Sequence, residues 1–184
     1  MWIHIILYAL LMIYIFYWLI KMIRKRIVCE IYEACGLGFY FTLIFWSQYK
    51  PMLNIPALRA IGFIFFVPAA FFVGASFAML RTKGKPTDGW ESTTTLINNG
   101  VYRITRHPLY LGTTIWSFAL VLVIQSLISV ILASVAILFF WMASKKEEEF
   151  NLTKFGDEYK KYLDSVPRWN FIKGMKHLKR EENH

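Results

Sequence analysis

The sequence predicts an all-α integral membrane protein with about five transmembrane helices, and three observations carry that prediction. Of the 184 residues, 57% are hydrophobic, above the roughly 45–50% usual for soluble domains. The excess gathers into long runs with almost no charge, separated by short charged stretches, the pattern of a chain solvated by lipid. The 21 Lys and Arg residues, against 12 Asp and Glu, give a net charge of +9. They flank the apolar runs and form no separate basic module. Lipid headgroups and membrane topology therefore account for them better than nucleic acid does.

The first apolar run covers residues 2–20. It lacks the charged start and small-residue cleavage site of a signal peptide, so it reads as a retained span. The second covers residues 31–49, with Glu33 at its edge and Gly36 and Gly38 as points of close helix approach. The third, residues 57–80, is longer than a ~30 Å hydrocarbon core requires, so it is expected to tilt or project, with Pro68 as a kink point. The fourth and fifth, residues 109–125 and 127–143, meet at Gln125-Ser126 with no Pro or Gly between them. Their combined length favours a tight helical hairpin over one long helix.

Basic residues set the expected orientation. Lys21, Arg24, Lys25 and Arg26 follow the first span. Arg81, Lys83, Lys85, Arg103 and Arg106 lie between the third and fourth, and ten more follow the fifth. With five spans, nineteen of the twenty-one fall on one side, and only Lys50 and Arg59 on the other. The N-terminus is then outside and the C-terminus cytosolic. Cys29 and Cys35 have neither CxxC spacing nor a histidine cluster, so no metal site and no disulfide framework are expected.

Two stretches are polar. Residues 81–106 form a loop with turn signals at Gly84, Pro86, Gly89 and Gly100. Residues 145–184 form a charged tail. Helical spacing runs from Lys145 to about Leu163, with Phe150, Phe155, Tyr159 and Tyr162 as its apolar points, and Pro167 ends it. Phe171, Ile172 and Met175 are expected to dock on the protein or on headgroups.

Three groups of residues bear chemistry. The first surrounds Arg106-His107-Pro108, where the polar loop enters the fourth span. Pro108 suits a first helical turn, and the amides there favour an anionic group. The same residues also fit a plain interfacial patch with Tyr102 and Tyr110 as an aromatic belt. The second is Glu147-Glu148-Glu149, just after the fifth span. A carboxylate turned inward there needs a cationic partner, for which Arg106, His107 or a bound cation are the candidates, while a solvated face paired with lysines is the simpler alternative. The third, Trp90-Glu91-Ser92-Thr93-Thr94-Thr95, reads as hydroxyl-rich loop. Asn151-Leu152-Thr153 matches a glycosylation acceptor but falls on the expected cytosolic side.

Taken in order, these pieces resemble the isoprenylcysteine carboxyl methyltransferase family and its wider relatives, the membrane phospholipid methyltransferases. Thr95-Leu96-Ile97, Gly100-Val101-Tyr102 and Arg106-His107-Pro108-Leu109-Tyr110 come first. The hydrophobic hairpin and Glu147-Glu148-Glu149 follow. Phe155-Gly156-Asp157-Glu158-Tyr159, Val166-Pro167-Arg168 and Phe171-Ile172-Lys173-Gly174 complete the set. The resemblance covers about half the chain, from Lys85 to Met175. Residues 1–80 match only in being three hydrophobic spans, which leaves 81–184 as the catalytic region.

The resemblance implies S-adenosylmethionine-dependent methyl transfer to a lipophilic acceptor, isoprenoid- or lipid-linked. It places the cofactor in a cytosolic pocket made by the loop before the fourth helix and the C-terminal tail. Thr94, Thr95, Leu96, Ile97, Tyr102, His107, Pro108, Leu109, Tyr110, Glu147 and Glu148 would hold it. Arg106, Lys145 and Arg168 are assigned to the acceptor. A carboxylate acceptor needs no general base, whereas an amine or hydroxyl would make His107 and Glu148 the first candidates. Two positions depart from the family. Thr94 stands where members often have His, and Ala143 where prenylcysteine methylators carry Arg. Other readings are a phospholipid or small-molecule methyltransferase, an NADPH-dependent membrane reductase of related fold, and a non-enzymatic scaffold. The expected location is the cell membrane in a prokaryote and the endoplasmic reticulum in a eukaryote.

Overall fold

The computed structural model describes residues 2–47, 53–85 and 93–181, the last two without their side chains. Lys50, the turn signals Pro86 and Gly89, and Trp90, Glu91 and Ser92 lie outside the described residues. Among the described residues all regular structure is helical: α1 (Trp2–Lys25), α2 (Val28–Trp46), α3 (Pro56–Lys83), a 3-10 turn at Gly100–Arg103, α4 (Pro108–Ile124), α5 (Leu127–Phe155), α6 (Asp157–Ser165) and α7 (Phe171–Glu181). The chain is a multi-pass, all-α membrane protein. Four described helices, α1, α2, α3 and α5, are long and apolar enough to cross a bilayer. About five were expected. α4 is apolar but has 17 residues, about 25 Å of helix, the same length as the expected run 109–125 and shifted from it by one residue.

The chain divides into two compact units. The first comprises Met1–Pro68 and Thr114–Glu147. α1 and α2 pack on each other through a stacked Tyr8–Phe45 pair with ring centres 4.4 Å apart and a 2.8 Å Tyr8–Thr42 hydroxyl hydrogen bond. Gly36 is a close-approach point, as its place in the sequence predicts. A Cβ there would lie 2.8 Å from the Phe140 ring. Gly38 is not crowded in this way: its nearest neighbour would be the Met12 methyl at 3.8 Å. α1 leaves Ile13, Tyr14 and Tyr17 well exposed, which suits a helix facing lipid.

The expected hairpin between α4 and α5 is present without glycine or proline. Gln125 adopts the left-handed conformation itself, with φ 52°, which costs a non-glycine residue about 1–2 kcal/mol. Its hydrogen bonds offset that cost. The side-chain amide accepts from Ile55 N at 2.8 Å and donates to Ile55 O at 2.9 Å, and its own carbonyl accepts from Leu53 N. Ser126 then caps α5, its hydroxyl accepting from Ser129 N at 3.1 Å.

The second unit comprises Ala69–Thr113 and Glu148–His184. α5 runs unbroken beyond its apolar part as far as Phe155. The single helical stretch expected from Lys145 to Leu163 is instead broken at Gly156, which has φ +57° and ψ −130°, a combination that only glycine adopts cheaply. The break starts α6. Its Tyr159 and Tyr162 form a small core with Val166, covered by Leu96, Phe155 and Leu163. Asn170 starts α7, its side chain accepting from Lys173 N at 3.0 Å.

Candidate functional site

The site is built where the chain between residues 104 and 107 meets the chain between 163 and 174. Arg106 N donates to Pro167 O at 3.0 Å and His107 N to Arg168 O at 3.4 Å. The Thr105 hydroxyl, fully buried, donates to Arg168 O at 2.5 Å. Arg106 Nη1 donates to Leu163 O at 2.7 Å and also to Val166 O. The Tyr162 hydroxyl donates to Tyr102 O at 2.6 Å. Gly174 closes the seam, since a Cβ there would collide with the Ile104 carbonyl. Buried backbone groups need partners, and here two segments some sixty residues apart supply them to each other.

Glu148 sits in the middle. Of the three consecutive acids it alone is buried, while Glu147 is half-buried and Glu149 exposed. Arg168 binds it with a fork, Nε to Oε1 at 2.9 Å and Nη2 to Oε2 at 2.5 Å. Arg106 Nε and Nη2 both reach Oε1 at 2.9 Å. His107 Nε2 donates to the same oxygen at 3.2 Å. The inward carboxylate therefore has the Arg106 and His107 partners that its position suggested, and Arg168 in addition. Burial pushes the Glu148 carboxyl upward, but hydrogen bonds from Arg168 and His107 and the positive charge around it win, holding it well below the usual carboxylate range. The same hydrogen bond to Glu148 raises Arg168 above the ordinary arginine value. Two guanidiniums and the His107 imidazole thus converge on one carboxylate.

α4 begins here. Pro108 occupies its first position, fully buried, and the buried His107 and Tyr110 rings stack with centres 5.7 Å apart. Leu109 is half-buried. Thr94 and Thr95 are exposed, and their amides both donate to Gly84 O. The Thr94 hydroxyl donates to Lys85 O at 2.9 Å. Ile97 is buried, and Leu96 packs on the Tyr159–Tyr162 core.

Two of the sequence candidates fall in the first unit. Glu147 is its last residue, and Lys145 is exposed there with its ammonium 5.5 Å from the Trp141 ring centre. Ala143, where prenylcysteine methylators carry Arg, is fully buried in the same unit. A recess of about 290 Å³ in the second unit is lined by Asn98, Arg103, Glu158, Lys161 and His177 among others. None of the residues assigned to the cofactor lines it. Thr105 and the carbonyls of Leu163, Val166 and Arg168 were not singled out in the sequence. Only the long-range pairing gives them a role, and no local spacing announces it.

The family model for phospholipid methyltransferases matches residues 58–158. The chain is 33% identical over 147 residues to the protein-S-isoprenylcysteine O-methyltransferase of Mus musculus, covering 74% of this chain and 49% of that protein. It is 32% identical to the Homo sapiens enzyme over 144 residues, with the same coverage. The Dictyostelium discoideum enzyme is 35% identical over 81 residues, 44% of this chain and 33% of that protein. The chain thus spans about half the length of the mammalian relatives it matches. No solved structure gives a significant match. The match over residues 58–158 takes in Arg106, His107 and Glu148 together, and the chain belongs to the phospholipid methyltransferase family, as a member related in sequence to the isoprenylcysteine O-methyltransferases.

Proposed function

We propose that this chain is an S-adenosylmethionine-dependent methyltransferase acting on a lipophilic acceptor that carries a carboxylate. Its relatives are named for O-methylation of protein-S-isoprenylcysteine, and an isoprenoid- or lipid-linked carboxylate is the acceptor class that best suits the site. The observation that carries this reading is the state of Glu148. Its carboxylate is buried, held by two guanidiniums and an imidazole, and strongly disposed to stay ionised. Such a group is a poor proton acceptor, so it is not suited to deprotonate an amine or hydroxyl. A carboxylate acceptor needs no base.

The residues fit the cofactor unequally. The guanidiniums of Arg106 and Arg168, beside the N-terminus of α4, suit a carboxylate, whether the cofactor's own or the acceptor's. The stacked His107 and Tyr110 rings offer an aromatic wall. Glu148 is already engaged by arginine, so the cofactor's cationic groups fall to Glu147 or to backbone carbonyls. Bound S-adenosylmethionine supplies a methyl group already activated for displacement. The protein's part is to align donor and acceptor at about 3–3.5 Å and exclude water. Arg106 and Arg168 orient the carboxylate, and Glu148 fixes both guanidiniums in place. Thr94, Thr95, Leu96, Ile97 and Tyr102 belong to the expected cofactor wall, and Lys145 to the acceptor side.

Five spans, with α4 as the fourth, put nineteen of twenty-one basic residues on one face. This supports an external N-terminus and a cytosolic tail. The test is calorimetry on detergent-purified protein with S-adenosylhomocysteine, paired with methyl transfer from labelled donor to an isoprenylated cysteine. Binding is expected to be lost in His107→Ala. Transfer is expected to fall at least tenfold in Arg168→Lys, which keeps charge but not the fork. Absence of binding by the parent protein would sink the proposal. Transfer to a lipid amine in place of the carboxylate would favour phospholipid methylation.

A further inference from the structure

The last described helix, α7, meets the site just described through Gly174, and the rest of it carries an unusual surface. Asn170 caps α7, and Gly174 presses on the Ile104 carbonyl, which fixes one side of the helix against the second unit. The opposite side is outward. At about 100° per residue it carries Ile172 and Lys179, flanked by Met175 and Lys176. Ile172 is 53% and Met175 43% exposed, and Lys173, Lys176 and Lys179 are all exposed. Large apolar side chains left beside lysines on one helix are costly in water and favourable at a headgroup boundary. There the lysine stems lie along the apolar region while their ammoniums reach up.

A second contact sets the level of this helix. The Phe171 ring meets the Phe72 ring edge-on, centres 6.3 Å apart. Phe72 belongs to α3, inside the long apolar run of a membrane-spanning helix, and its neighbour Phe71 is 59% exposed. The first turn of α7 thus touches a side chain inside that apolar run. The exposed surface of Phe71, Phe171, Ile172 and Met175 lies beside that contact.

We propose that α7 lies in the bilayer surface as an interfacial helix, with Ile172 and Met175 set among acyl chains and Lys173, Lys176 and Lys179 paired with the phosphates of anionic phospholipids. It would hold the seam between residues 104–107 and the tail at the membrane plane, whatever reaction the site performs.

Amide hydrogen exchange on the full chain in nanodiscs tests this without reference to activity. One set of discs contains phosphatidylcholine alone and the other phosphatidylcholine with phosphatidylserine. Exchange across residues 172–179 is expected to slow roughly tenfold in the anionic discs. The combined variant Lys173→Glu, Lys176→Glu, Lys179→Glu is expected to lose that difference, while α6 amides stay unchanged and report an intact unit. Equal exchange in both lipids would overturn the proposal, as would a lipid dependence that survives the charge reversal. Protection that follows the number of copies per disc, and not the lipid charge, would assign the face to a second copy and overturn it equally. Should the methyltransferase reading fail while the exchange result holds, α7 remains an interfacial helix.

Discussion

The two units of this protein are held together by different physics. In the first, apolar helices pack through rings and the close approach at Gly36, and two neutral contacts join distant residues: Tyr8 to Thr42, and the Gln125 amide to Ile55. In the second, one carboxylate and two guanidiniums sit at the meeting of segments that are far apart in sequence. Helices in lipid gain little from burying apolar surface, so packing detail and neutral hydrogen bonds carry their association. A segment outside the bilayer can use charge, but a buried charge tolerates no missing partner. The first unit should therefore lose stability in small steps, and the second in one large one.

The largest effect is expected at Glu148. Glu148→Ala leaves Arg106 and Arg168 without their counter-charge, which should cost about 3–5 kcal/mol and abolish methyl transfer. Thermal unfolding in detergent, with limited proteolysis of the tail, reads the first part. The pH dependence follows from the same contact. The folded carboxyl titrates below its ordinary value of 4.5. Its contribution is thus fully present above that value and is lost as pH falls through the depressed folded value. Stability of the tail should not change with this group between neutral pH and about pH 5, and should fall only in stronger acid. Glu148→Gln should remove that acid-side loss. A tail that loosens near neutrality in the parent protein but not in Glu148→Gln would contradict the assignment.

Much of the first unit was legible in the sequence, because lipid imposes a rule that single residues reveal. Four of the five expected spans and the hairpin at Gln125-Ser126 follow from length and apolar character, and the close approach at Gly36 from its missing side chain. Two things did not show. Gly38, expected with Gly36 to be a point of close approach, is not crowded, because only the flexible end of Met12 lies near it. The hairpin turns on a left-handed glutamine, which no turn propensity announces, because its stabilising partner, Ile55, lies seventy residues away.

The second unit was legible in its parts and not in its joints. Arg106, His107 and the acidic triplet stood out, and an inward acid with Arg106 or His107 beside it was foreseen. Which acid turns in depends on the helical phase of α5. That Arg168 forks onto it depends on the path of the chain between α6 and α7, which pairs Pro167 and Arg168 with Arg106 and His107. The helix break at Gly156 was missed because the apolar spacing of Phe155, Tyr159 and Tyr162 continues across it, while the backbone does not.

An intermediate effect is expected at the hairpin. Gln125→Ala keeps the left-handed backbone but removes both side-chain bonds to Ile55. The cost should be about 1–3 kcal/mol, measured as a lower midpoint in detergent unfolding. Gln125→Gly relieves the backbone while losing the same bonds, so it should fall between the parent and Gln125→Ala. If glycine were no better than alanine, the left-handed turn would carry no strain, and the side-chain clamp would be the whole reason for glutamine here.

The smallest effect is expected at Tyr8→Phe. The substitution deletes the hydroxyl but keeps the ring stacked on Phe45. Thr42 is not orphaned, because its hydroxyl donates to Gly38 O at 2.7 Å. Interhelical hydrogen bonds within membranes average about 0.6 kcal/mol, and the loss here should be no larger. Set against Glu148→Ala, this gives a severalfold difference between removing a neutral partner and removing a charged one. A Tyr8→Phe cost as large as that of Glu148→Ala would show that α1 and α2 are joined by polar contact after all, and would remove the distinction between the two units.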